Sequence, residues 1–181
     1  MLVVVVRGAS LKAQLVFNVL DGNIKTVSFH EGKTPDQAYQ EDIEQLLAGT
    51  LRLNDLGYFI KSFVQIAEQN AYFLTRFNTQ TALFSLSGSR IDLFGWLVQQ
   101  NESIIEAEFL IGIKKLRSRI IAIRLPQEVA DRRRQRAIEK AKYNKKGRTP
   151  SARSLALLSW TIFMTNVPAK MLTAQQVAQL L

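Results

Sequence analysis

Between residues 11 and 77 the apolar residues change their spacing repeatedly, and that alternation limits the possible folds more than any single motif does. Leu11, Ala13, Leu15, Phe17 and Val19 alternate with Lys12, Gln14 and Asn18, the period of a strand with one buried face. Asp21-Gly22 turns the chain, and Ile24 to Phe29 is rich in β-branched and aromatic residues, so 11–29 predicts an antiparallel hairpin. Thr34-Pro35-Asp36-Gln37 then supplies a capping hydroxyl and a first-turn proline for a helix with the stripe Tyr39, Ile43, Leu46 and Leu47, stopped near Gly49. A short strand over Leu51 to Leu53 runs into Asp55-Leu56-Gly57. A second helix carries Phe59, Phe63, Ile66 and Ala67, and Ala71 to Phe77 has strand composition. The order β-β-α-β-α-β predicts a mixed α/β sheet with helices packed on it.

After a Ser/Gly break at 85–89, Ile105, Ala107, Phe109, Ile111 and Ile113 alternate with Glu106 and Glu108. Ile121, Ile123 and Leu125 follow Arg117 and Arg119, which makes a second β region. Pro126 opens a third helix through about Lys146, ended by Gly147, and Thr149-Pro150 starts a shorter one through Leu157. Trp160 to Thr165 reads as a buried strand, and Thr173 with Gln176 forms a capping box for a last helix. Phe73, Phe77, Phe84, Phe94, Trp96 and Phe109 fall mostly on strand-like stretches, which favours core packing over base stacking.

Composition narrows the chemistry. There is no cysteine, which excludes disulfides, thiolate metal sites and a cysteine nucleophile, and His30 is the sole histidine. A catalytic triad or zinc site would have to be built on that one imidazole, at a strand end beside Glu31-Gly32, where a turn or surface role is expected rather than that of a general base. No phosphate-binding glycine loop is present. The apolar run Leu2 to Val6 is too short for a signal-peptide core and is followed, not preceded, by Arg7, so neither export nor a membrane span is expected and a cytoplasmic location is.

Charge is distributed unevenly. Residues 1–100 hold 8 Lys and Arg against 9 Asp and Glu, whereas 101–181 hold 16 against 6. From Lys114 to Arg153 there are 15 cations and only Glu128, Asp131 and Glu139 as anions, the signature of a polyanionic partner. Fourteen of them are the candidate nucleic-acid contacts: Lys114, Lys115, Arg117, Arg119, Arg132, Arg133, Arg134, Arg136, Lys140, Lys142, Lys145, Lys146, Arg148 and Arg153. With a thin apolar stripe of Val129, Ala137, Ile138 and Ala141, the third helix should project cations over a wide arc and contact nucleic-acid phosphates, which position without specifying sequence. Asp55, at the end of a strand before a tight turn, suits a divalent cation. The same residue type also stabilises turns, and spacing alone leaves both roles open. Glu106 and Glu108, at i, i+2 without a third ligand, mark the solvent side of their strand.

Five stretches carry a family likeness: G-A-S-L-K-A-Q-L-V-F-N-V-L-D-G (8–22), E-G-K-T-P-D (31–36), N-D-L-G-Y-F (54–59), I-A-I-R-L-P (121–126) and W-T-I-F-M-T-N-V-P (160–168). In these the chain resembles DDE transposases of the insertion-sequence-four type. The resemblance implies a ribonuclease-H-like fold and DNA cleavage and strand transfer by three acidic residues with Mg²⁺. It makes Asp55 the second acid and a Mg²⁺ ligand. It also implies a partial ribonuclease-H-like core over 1–80, a β-rich insertion with the basic helix over 81–168, and the start of a core helix over 169–181. Two departures stand out. No Asp or Glu precedes Asp21, which belongs to the hairpin turn, and no acidic residue follows Glu139, where the family carries a Tyr-Arg-Glu-Lys signature. The expectation is an internal piece of a transposase that keeps one of three ligands, binds Mg²⁺ weakly or not at all and fails at self-contained catalysis. The expected partner is double-stranded DNA at transposon ends. The competing expectation is a non-catalytic module that occupies those ends or pairs with an intact transposase subunit.

Overall fold

A computed structural model of the chain describes residues 2–6, 9–18, 22–33, 43, 46–54, 60–144 and 149–180. They fall into two units, Met1–Gln40 and Glu41–Leu181. The first unit is an antiparallel sheet of β1 (Leu2–Val6), β2 (Ala9–Phe17) and β3 (Ile24–Glu31), in that order. The hairpin predicted over 11–29 is β2–β3, with Leu11 opposite Glu31 and a register shift between Val16 and Phe17. Its β2 alternation buries Ala13, but Leu11 and Leu15, with Val27 and Phe29 of β3, stay exposed, so the apolar face is only partly covered. At the hairpin's open end the Gly32 N–H donates to the Ser10 carbonyl at 2.6 Å. A Cβ there would lie 1.7 Å from Ser10 Oγ and 2.7 Å from its carbonyl carbon, so only glycine fits this approach.

The second unit runs β4 (Leu51–Asn54), α1 (Ile60–Glu68), β5 (Tyr72–Arg76), β6 (Leu83–Phe84), β7 (Arg90–Ile91), α2 (Leu93–Val98), β8 (Ile104–Ile111), β9 (Leu116–Arg124), α3 (Gln127–Asn144), α4 (Ala152–Leu157), β10 (Trp160–Thr165) and α5 (Ala174–Leu180). Its seven strands form one sheet in the order β4-β5-β10-β9-β8-β6-β7, parallel between β4 and β5 and antiparallel elsewhere. This is the mixed α/β class expected, and it is compatible with a ribonuclease-H-like fold. Strands from both sides of residue 80 share the sheet, because β10 lies between β5 and β9. The helix predicted from Thr34 to Gly49 lies outside the described residues apart from Ile43 and 46–49, as does the stretch 55–59.

Both faces of this sheet are covered, which explains its sequence pattern. On one face Phe63 and Ile66 of α1 and Leu93 and Leu97 of α2 pack with Phe73, Ile105, Phe109, Ile120, Ile162 and Met164. On the other, Ala174 and Val177 of α5 pack with Leu74, Ile121 and Phe163. Central strands buried twice read as continuous apolar runs, as in Ile120-Ile121-Ala122 and Ile162-Phe163-Met164, and lose the period of two. The Thr165-Asn166-Val167 stretch fastens β10 to β5. Thr165 Oγ1 donates to the Phe73 carbonyl, Asn166 Oδ1 accepts from Phe73 N at 2.8 Å, and Asn166 Nδ2 donates to the Ala71 carbonyl at 2.9 Å.

Of the six aromatics, Phe94 and Trp96 lie not on strands but on α2, which is capped by Asp92 accepting from Gly95 N. Trp96 still packs inward, edge-on to Phe109 at 5.1 Å between ring centroids. The β8–β9 turn depends on Gly112 at φ +66, where a Cβ would also stand 3.3 Å from Ile60. Among the described residues no helix is long and apolar enough to cross a membrane.

Candidate functional site

The carboxyl end of β4 is where a strand-end acid would stand. β4 closes at Asn54, opposite Thr75 of β5, and Asp55 follows it in the chain but lies outside the described residues. Asn54 is buried, and among the described residues neither its Oδ1 nor its Nδ2 has a hydrogen-bond partner. Among the described residues no three His, Cys, Asp or Glu side chains gather, so they offer no carboxylate set fit for Mg²⁺.

The cations of β9 are already matched within the fold. Arg119 is buried. Its Nη1 donates to the carbonyls of Val167 at 2.7 Å and Leu172 at 3.0 Å, and its Nη2 pairs with Glu106. It thereby ties β9 to the loop between β10 and α5. Arg117 is exposed and pairs with Glu108 at 2.6 Å. Both bridges are diagonal across the hairpin, since Glu106 lies opposite Ile121 and Glu108 opposite Arg119. Glu106 and Glu108 stand on the solvent side, as expected, and serve there as counter-ions. In the turn between the strands, Lys114 and Lys115 are exposed, and Lys115 Nζ sits 5.4 Å from the Phe84 ring centroid.

The α3 cations divide by helix side. Ala130 and Ala141 are buried, and Val129, Arg133, Arg134, Ala137 and Ile138 are half-buried, so this is the docked side. Arg134 pairs with Asp131 at 2.6 Å and donates to the Leu155 carbonyl and to Ser159 Oγ, fastening α3 to α4. Arg133 donates to Thr161 Oγ1 of β10 at 3.2 Å. Burial first, and the positive charge of Arg76 second, lower its pKa below the ordinary guanidinium value. Arg132, Arg136, Lys140 and Lys142 lie on the exposed side with no hydrogen bond or ion pair among the described residues. The first three recur every fourth position, a line about 12 Å long at the rise of an α-helix. Arg153 pairs with Asp92 and lies over the Phe94 ring at 5.5 Å, and Lys145, Lys146 and Arg148 lie outside the described residues.

The structure thus brings Arg132, Arg133 and Arg136 together around a cavity of about 250 Å³, with Val129 as the fourth lining residue. It does not bring Arg117 or Arg119 there. Arg76, which acts on Arg133, is absent from the basic set read off the sequence because it stands alone in the chain, far from the charge run.

Arg132, Arg136 and Lys140 thus form an outward-facing row of cations on a docked helix. The chain is similar to insertion-sequence transposases. It is 26% identical over 193 residues to the transposase for insertion sequence element IS231F of Bacillus thuringiensis subsp. israelensis, and this covers 95% of the chain and 40% of that protein. It is 27% identical over 193 residues to the transposase for IS1151 of Clostridium perfringens, with the same coverage, and 25% identical to that for IS231B of Bacillus thuringiensis subsp. berliner over 93% of the chain and 39% of that protein. The chain therefore spans about two fifths of the length of these transposases. No family model matches it, and no solved structure does.

Proposed function

We propose that the chain acts in DNA transposition as a duplex-binding portion of a transposase, and that by itself it holds DNA without cutting it. The observation that carries this reading is the row Arg132, Arg136 and Lys140, with Lys142: exposed, uncompensated, and held on a helix whose opposite side is fixed to β10 and α4. Such a row contacts phosphates by charge and so fixes position without reading bases. Lys145, Lys146 and Arg148 prolong it in sequence, and exposed Lys114 at the β8–β9 turn adds a second point of charge. Asp55 is the residue proposed for Mg²⁺ by family likeness. One carboxylate holds that ion weakly, and two-metal displacement needs several, which supports binding without cleavage.

Pairing with an intact transposase subunit is a second reading. It is favoured by exposed Leu11, Leu15, Val27 and Phe29 on the first sheet, an apolar face suited to another protein surface.

Duplex binding measured by fluorescence anisotropy across a salt series tests the main reading. Contact with three to four phosphates gives log K against log salt a slope of about −3, and Asp55→Ala leaves it unchanged. Absence of binding at low salt would remove the DNA reading. Mg²⁺-dependent cleavage lost in Asp55→Ala would overturn the claim that the chain does not cut.

A further inference from the structure

We infer that Arg76, Arg132, Arg133 and Arg136 form a cradle for a single phosphate group at the carboxyl rim of β4 and β5. The source of that phosphate, a DNA backbone, rests on the function proposed above; the cradle itself rests on geometry. Arg76 is the last residue of β5 and lies opposite Phe163 of β10. Thr161, two residues from Phe163 along β10, shares its face and is a diagonal neighbour of Arg76, about 7–8 Å across the ladder. Arg133 reaches the same spot from α3 through its bond to Thr161 Oγ1. Arg76 and Arg133, on different elements, are therefore close enough for their charges to act on each other, and Arg133 lines with Arg132 and Arg136 a cavity of about 250 Å³.

The guanidinium groups there have donors to spare among the described residues. Arg133 carries five N–H donors and one has a protein acceptor. The side chains of Arg76, Arg132 and Arg136 make no hydrogen bond or ion pair among the described residues. The carboxylates of α3 do not supply one. Asp131 is held by Arg134 and Gln127, Glu139 by Gln135, and Glu128 makes no ion pair with Arg132 one turn on. Like charges placed together in a half-buried site repel, and Arg133 feels this from Arg76. A tetrahedral oxyanion relieves the repulsion and accepts the forked donors of several guanidinium groups at once. The register also fixes where the cradle stands. Thr75 is opposite Asn54, so Arg76 lies one residue beyond the end of β4, one strand spacing or about 4.8 Å to the side. A phosphate held there is beside the point at which the chain passes to Asp55.

Two measurements on the whole chain decide the matter. In the first, thermal unfolding is followed against inorganic phosphate. The unaltered chain gains several degrees at tens of millimolar phosphate, and Arg76→Gln, an exposed position that tolerates replacement, loses more than half of that gain. Equal gains in both would overturn the cradle. In the second, the salt slope of duplex binding counts phosphates, because each one released contributes about 0.9. Arg76→Gln and Arg133→Gln each reduce the slope by about one, and the double variant also by about one, because both side chains serve the same phosphate. A reduction of about two in the double variant would mean separate phosphates and would overturn the cradle. An Arg76-dependent gain in phosphate with an unaltered duplex slope supports the cradle and assigns it to free phosphate instead of DNA. If the unaltered chain binds no duplex, the DNA reading fails, and the unfolding measurement still decides the cradle.

Discussion

β9 and α3 are consecutive in the chain, separated by Leu125 and Pro126, and both are rich in arginine, but they use it in opposite ways. On β9 the guanidinium groups face a neighbouring strand that carries Glu106 and Glu108, and the pleat places acid and base on one face within reach of each other. On α3 the exposed cations are separated from the helix's own carboxylates, because Asp131 and Glu139 are taken by Arg134, Gln127 and Gln135. A hairpin brings sequence-distant counter-ions together, whereas a docked helix turns its outer residues to solvent. Arginine density alone therefore does not tell which cations are matched within the fold; the secondary structure that carries the arginines does.

The largest effect expected from this contrast is on stability. Arg119→Met keeps the apolar stem but leaves Glu106 and the carbonyls of Val167 and Leu172 without their donor. Arg119's side chain is 7% exposed and Glu106's 39%, so solvent repairs only part of the damage. Denaturant unfolding should show a loss of about 3 kcal/mol. A loss below about 1 kcal/mol would mean the internal bonds are dispensable and would put Arg119 back among the residues free for a ligand. Lys140→Gln combined with Lys142→Gln should do the reverse. Neither lysine makes a side-chain bond or ion pair among the described residues, so unfolding is unchanged, while the salt slope of duplex binding drops by about two and affinity at moderate salt by about tenfold. A stability loss without a binding loss would erase the contrast.

These two sets of arginines were not separable in the sequence, for a physical reason. Glu108 and Arg117 are nine residues apart and Glu106 and Arg119 thirteen, and their pairing needs the β8–β9 register, which the turn at Gly112 decides. Where local physics suffices, the sequence is explicit. β10 spans the predicted 160–165, and the capping box is present in both directions, Thr173 N to Gln176 Oε1 at 2.8 Å and Gln176 N to Thr173 Oγ1 at 3.3 Å. Six-residue α2 was hidden because fewer than two turns show no helical period and Phe94 and Trp96 imitate a strand. Arg76 was hidden because its relevance comes from two strands and a helix meeting, none of which is local. The T-N-V-P stretch was legible as a motif, but its structural work, Thr165 and Asn166 bridging to Phe73 and Ala71, depends on a strand order in which residues more than ninety positions apart are neighbours.

Arg117→Ala is the smallest and most discriminating test. Its side chain is 68% exposed and that of Glu108 44%, so the bridge is screened and should contribute no more than about 0.5 kcal/mol, a difference that fades as salt is raised. Its charge is also compensated before any duplex arrives, and it lies seven residues before Arg124 on β9, about 23 Å from the end at which α3 begins. The duplex salt slope should therefore be the same with and without it. A slope reduced by about one would show that DNA displaces Glu108 and takes Arg117 as its own. The β8–β9 turn, with Lys114 and Lys115, would then be a second contact region, and a surface ion pair would have to be counted as a reserve of phosphate-binding charge.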